Sequence, residues 1–151
     1  MEPYLPAKDD RRSVDEIVHI ALNERDENTA WDAVCALHWR GSRDVLEAAR
    51  GLCRSSCSRE RKVGSDILGQ IGVPERTFPE ECVATLVELL KGEDGPAVLS
   101  SAFIALSHLG DPRAVGAAKP FVSHPNAEVR HAVVLALTGH DSDDAVTLLL
   151  Q

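Results

Sequence analysis

Four cysteines, six histidines and two adjacent aspartate pairs are the residues of this chain that could do chemistry. Cys53 and Cys57 stand four apart with Cys82 further on, which would make part of a zinc site if a second pair at matching spacing completed the tetrahedron. That second pair is missing, and Cys53 falls where a helix end would turn it into the core. The plainer reading, a structural thiol, is preferred, and no metal is expected. Asp9–Asp10 and Asp143–Asp144 offer oxygen ligands for a divalent cation. Acidic pairs also mark helix starts, where they face the positive end of the helix dipole, and that reading is preferred too. Serine, histidine and aspartate occur without a glycine-flanked nucleophile or a phosphate-binding loop. The sequence therefore points away from an enzyme, with no catalytic residue and no cofactor to assign.

A charge asymmetry remains. Between Arg40 and Lys62 stand seven basic residues (Arg40, Arg43, Arg50, Arg54, Arg59, Arg61, Lys62) and three acids (Asp44, Glu47, Glu60), a local +4 in a chain of net charge −8. These cations either pair with acids of neighbouring elements or form a docking patch for an acidic protein. The overall negative charge works against nucleic-acid binding, which asks for a basic footprint.

The elements that must position these groups are written most fully between Gly110 and Gly139. Asp111 caps a helix opened by Pro112, where a missing amide donor does no harm. Pro125 breaks the chain, and Asn126 caps a second helix with Val129, Val133, Ala136 and Leu137 on one side. The same unit recurs. Leu37, Leu68, Leu106 and Leu137 anchor the second helix of four copies at spacings of 31, 38 and 31, so the middle interval holds seven extra residues, between Val73 and Glu81. Small residues stand four before each anchor (Ala33, Gly64, Ala102) or a valine does (Val133). Gly41, Gly72 and Gly110 follow four after, where a helix ends in a left-handed turn; the fourth copy has Asp141 there.

In order, residues 1–12 read as a flexible tail and 13–151 as one repeat domain. Ser13 and Glu16 make a capping box for a helix bearing Val14, Ile17, Val18, Ala21 and Leu22. Asn28 or Thr29 starts the partner helix to Gly41. Ser42 caps the next, Ser58 starts one running to Gly72, and Pro79 and Pro96 open two more. Pro120 should distort the last turn of its helix. Leu148, Leu149 and Leu150 are expected to pack on the Val129–Leu137 helix, or else to meet another chain, a second copy included, or the next unit of a longer array.

Gly110-Asp-Pro-Arg-Ala-Val115 and Pro125-Asn-Ala-Glu-Val-Arg-His-Ala132, with an echo in Ile67-Leu-Gly-Gln-Ile-Gly72, resemble the short HEAT-like repeats of bacteria, the kind also found in phycobilisome lyases. The resemblance covers about residues 14 to 151. It implies an all-α, right-handed α-α superhelix of about four helical hairpins plus a terminal helix. It is nearly silent on activity, because the family holds adaptors, assembly factors and a few bilin-attaching enzymes. The Gly64–Gly72 segment is also similar to bacterial proteins encoded beside polymorphic toxins, which implies an immunity or adaptor role.

In such stacks the second helices line the concave side. Positions six and two before each anchor and two after form a stripe opposite the packed face: Trp31, Cys35, Trp39; Lys62, Asp66, Gln70; Ser100, Ile104, His108; and His131, Leu135, Gly139. Both tryptophans of the chain fall on it, and tryptophan is enriched among residues that dominate interface energy. The stripe is therefore expected to hold a protein or peptide segment, with Trp31 and Trp39 as apolar anchors and Lys62 and Asp66 giving polar selectivity. The plainer alternative is that the tryptophans close the N-terminal end of the stack. A phosphate backbone, as held by the HEAT-like DNA alkylation-repair glycosylases, would need a basic concave face with aromatic contacts, and the C-terminal half here is acidic. The start of the chain is charged and lacks an apolar signal stretch, and no run reaches the length of a membrane span. A cytoplasmic home is expected.

Overall fold

Glu16 N–H donates to Ser13 Oγ at 3.1 Å and Ser13 N–H donates to Glu16 Oε2 at 2.6 Å, the reciprocal cap that the sequence predicts. From there the computed structural model, which describes residues 10–151, runs through nine α-helices among the described residues: α1 Val14–Asn23, α2 Glu27–Arg40, α3 Arg43–Cys53, α4 Ser58–Leu68, α5 Pro79–Gly92, α6 Pro96–Leu109, α7 Arg113–Ala118, α8 Ala127–Leu137 and α9 Asp143–Leu149. Most of the tail expected over residues 1–12, Asp9 included, lies outside the described residues. Arg40 Nη2 donates to the carbonyls of Asp10 and Arg12, both at 2.7 Å, and so ties the first described residues to α2.

Neighbouring helices pair as hairpins, α1 with α2 through α7 with α8, and the even-numbered helices also pack on one another in sequence. The result is an α-solenoid with two layers: outer helices α1, α3, α5 and α7, and inner helices α2, α4, α6 and α8. The anchors Leu37, Leu68, Leu106 and Leu137 are all buried along the seam. Close packing depends on the small residues beside them. A Cβ on Gly64 would stand 2.9 Å from Ala49 O and from Cys53 Sγ. Gly41 and Gly72, at φ 58° and 76°, bring consecutive units so close that a Cβ on Gly41 would lie 2.6 Å from Gly72 Cα.

Several boundaries differ from expectation. Asp26, rather than Asn28 or Thr29, opens α2, because its Oδ1 accepts from both Thr29 N and Thr29 Oγ1 at 2.8 Å. Ser42 stands at the start of α3 but makes no side-chain cap bond; its hydroxyl donates to Asp44 instead. Helix α4 stops at Leu68, and Gly72 makes its left-handed turn four residues later. In the fourth unit α8 stops at Leu137 and Gly139, at φ 91°, replaces the turn assigned to Asp141. Pro120 acts as expected: α7 gives way to a 3-10 turn over Lys119–Phe121. Helix α9 packs on α8, and Ala145 and Leu148 are its buried residues. Leu149 and Leu150 remain 42% and 82% exposed, a correction to the expectation that all three leucines are covered.

Candidate functional site

The basic segment is the first candidate, and the structure spends it internally. Arg43 Nη1 donates to Glu81 Oε2 at 2.7 Å, and Arg50 Nη1 reaches Glu47 at 3.2 Å and Glu81 at 3.4 Å, joining α3 to α5. Arg59 Nε donates to Leu22 O at 2.6 Å, joining α4 to α1. Arg61 Nε donates to Glu93 Oε2 at 2.6 Å, and Lys62 pairs with Asp66 at 2.8 Å. Further along, Arg113 repeats the pattern on Glu80 at 2.8 Å. Apart from Lys62–Asp66, which lies within α4, these are clamps between successive units, and of the seven cations Arg54 has no side-chain hydrogen-bond or ion-pair partner among the described residues.

Burial raises the Cys53 thiol to about 12 and the Cys82 thiol to about 11, which keeps both in the neutral form at ordinary pH. Cys57 is exposed at the start of α4, and Cys35 is half-buried on α2 with its thiol also raised by burial. Asp143 and Asp144 lie in the first turn of α9, as expected of an acidic helix start.

The stripe is the second candidate. Its residues lie on the solvent side of the inner layer, and none of them is buried. Trp31, Ile104 and Leu135 are 47%, 39% and 38% exposed. Lys62, His108 and His131 are exposed; Cys35, Trp39, Asp66, Gln70 and Ser100 are half-buried. Gln70 and Gly139 stand in turns just past α4 and α8, because those helices end at their anchors. Clefts of about 370 Å³ and 460 Å³ open between outer helices, one by Cys53 and Leu89, the other by Val87 and Phe121.

Three residues near the stripe escape the sequence pattern. Val134, 47% exposed, sits beside Leu135 on α8. Arg76 comes from the inserted segment. His38 points into the seam between α2 and α4, where its Nε2 donates to Asp66 O at 2.8 Å and its ring meets Trp31 edge-on with centroids 6.2 Å apart. Burial holds the His38 imidazole below its usual 6.5 despite the Asp66 carbonyl and charge. The folded state then binds fewer protons than the unfolded one. Its contribution to stability is intact above the unfolded value of about 6.5 and falls below it, with a limiting slope of about 1.4 kcal/mol per pH unit. Thermal melts at pH 7 and pH 5 should show a larger drop for the wild type than for His38→Gln; equal drops would place the titration elsewhere.

The class is now defined: two layers of paired helices, with an anchor leucine per unit and one solvent-facing stripe along the inner layer, make this an α-solenoid. Residues 83–151 match a family model of HEAT repeats. Among solved structures the chain is similar to human deoxyhypusine hydroxylase in complex with glycerol, with a TM-score of 0.58 and 22% identity over 87% of this chain and 44% of that one. The chain thus spans less than half the length of that neighbour, and the likeness concerns the fold. No curated protein matches the sequence.

Proposed function

We propose that the protein is a non-enzymatic binding module that works in the cytoplasm as a scaffold or adaptor, holding a segment of another protein across its inner face. The observation that supports this reading most is the exposure of Trp31, Ile104 and Leu135 on three of the four inner helices, α2, α6 and α8, along one stripe. Isolated apolar residues on a surface mean little, but an aligned set has something to cover. Trp31 and Trp39 serve as apolar anchors, Lys62, Asp66 and Gln70 as the polar centre, and Ile104, His108, His131 and Leu135 as the far half. With most cations of the Arg40–Lys62 segment engaged between units, the outer side offers less for a partner to grip. Among the described residues no helix is long and apolar enough to cross a membrane.

Ile104→Asp and Leu135→Asp should each cut recovery of the specific partner at least tenfold in quantitative affinity capture, with melting temperatures within a few degrees of wild type. The control Ala84→Asp, on the exposed side of α5, should leave recovery unchanged. Equal losses in all three would remove the inner face as the site. An immunity protein for a toxin is a special case of the same function. A lyase-like protein acting on a bilin is a different one, and a visible chromophore after coexpression with a bilin pathway would favour it.

A further inference from the structure

The segment between α4 and α5 breaks the period of the chain, and it is firmly held. Gly72 N–H donates to His38 O at 2.7 Å, Arg76 N–H to Gly72 O at 2.8 Å, and Thr77 Oγ1 to Gly41 O at 2.8 Å. Arg76 and Phe78 sit in the left-handed region, at φ 66° and 54°. That conformation is strained for a side-chain-bearing residue, and such strain concentrates where a side chain must be aimed. Here the turn aims a guanidinium. Arg76 Nη1 donates to Gly69 O at 2.6 Å, which fixes the group over the C-terminal end of α4. Its charge acts on His38 of α2 and on His108 of α6.

Arg43, Arg50, Arg61 and Arg113 each reach a carboxylate. Among the described residues no carboxylate lies within ion-pair distance of Arg76. Capping α4 uses one of the five N–H donors of its fork, and the same end of the inner layer carries Trp39, Gln70 and His108. We propose that this end of the inner face recognises a carboxylate: the bound segment carries an aspartate or glutamate that pairs with Arg76, next to an apolar residue that packs on Trp39. The inference rests on the inner face being the binding surface. Charge complementarity decides the chemistry of the occupant. A half-buried guanidinium whose acceptor among the described residues is a neutral carbonyl gains a charge-assisted, bidentate contact, whereas Lys62 and Asp66 already satisfy each other at 2.8 Å. A chain of net charge −8 repels an acidic segment elsewhere, so the contact selects one register.

Selection of random twelve-residue peptides displayed on phage against the full chain, followed by calorimetric titration of the winners, tests this. Winners should share one acidic position; changing that residue to its amide should weaken binding to the wild type at least tenfold, and Arg76→Gln should do the same with little change in melting temperature. Peptides that lose binding to Ile104→Asp but carry no shared acid, or that tolerate the amide change, overturn this inference alone. Winners indifferent to Ile104→Asp overturn the inner-face reading and this inference with it. The amide exchange is made in the peptide, so the answer stands even if Arg76→Gln fails to fold.

Discussion

Replacing Phe103 by alanine should destabilise the protein by roughly 3–5 kcal/mol, the usual cost of an aromatic side chain deleted from a closed core. Its neighbour Ile104, truncated in the same way, should change stability by no more than about 0.5 kcal/mol, the usual range for a surface position. Phe103 is fully buried, and its ring packs edge-on against Phe121 with centroids 5.3 Å apart. It joins α6 to the 3-10 turn that Pro120 imposes after α7, so its loss opens two units at once. One residue further on, Ile104 has turned 100° around the helix onto the inner face. Chemical denaturation of both variants reads the difference directly. If Ile104→Ala costs as much as Phe103→Ala, the stripe is core and the inner face has been misassigned.

Glu93→Ala should cost roughly 3 kcal/mol, the lower part of the range for breaking a buried ion pair. The Glu93 side chain is only 2% exposed and that of Arg61 20%. Arg61 keeps the carbonyls of Ser55 and Ser56, at 3.0 Å and 2.9 Å, which holds the cost down. The amides of Asp94 and Gly95, which donate to Glu93 Oε1 at 3.1 Å and 2.8 Å, lose their acceptor and with it the turn that starts α6. Burial by itself would raise the Glu93 carboxyl, but Arg61 and the Gly95 and Asp94 amides outweigh it and hold the group below 4.5. A depressed carboxyl stabilises above its unfolded value, and this contribution is lost as pH falls from about 4.5 through the folded value. The stability gap between wild type and Glu93→Gln should therefore narrow as pH is lowered through this window. A constant gap would mean that the pair adds no charge-dependent stability.

How far the fold could be read in advance follows from the range of the interactions. Anchors, glycine turns, the Ser13 capping box and the Asn126 cap are set by residues within four or five positions, and all stand where the sequence places them. Asp26 was missed in favour of Asn28 and Thr29 because three cap-forming residues compete there, and only the geometry of the turn picks one. The end of α4 at Leu68 was hidden because Gly72 serves the contact with Gly41 and the inserted segment rather than the helix itself. The inner stripe was legible as a phase of the helix, but the shares of it were not: Trp39 is half-buried where Trp31 is open. That the arginines pair with acids of neighbouring elements is one of the two readings the sequence offers, but the partners themselves were beyond it. Arg43 and Glu81, or Arg61 and Glu93, meet only once the register between units is fixed. Arg76 gave no signal at all, since nothing in its neighbourhood announces a left-handed turn at a non-glycine residue.

The central claim is that the inner layer, α2 to α8, is the side that meets the partner. Photocrosslinking tests it most directly, with benzoylphenylalanine placed singly at positions 31, 104 and 135 on the inner face and at 84 and 116 on the exposed side of α5 and α7, in cells that express the protein. The account predicts one and the same adduct from the three inner positions and none from the two outer ones. An adduct from positions 84 and 116 with silence from 31, 104 and 135 would contradict it.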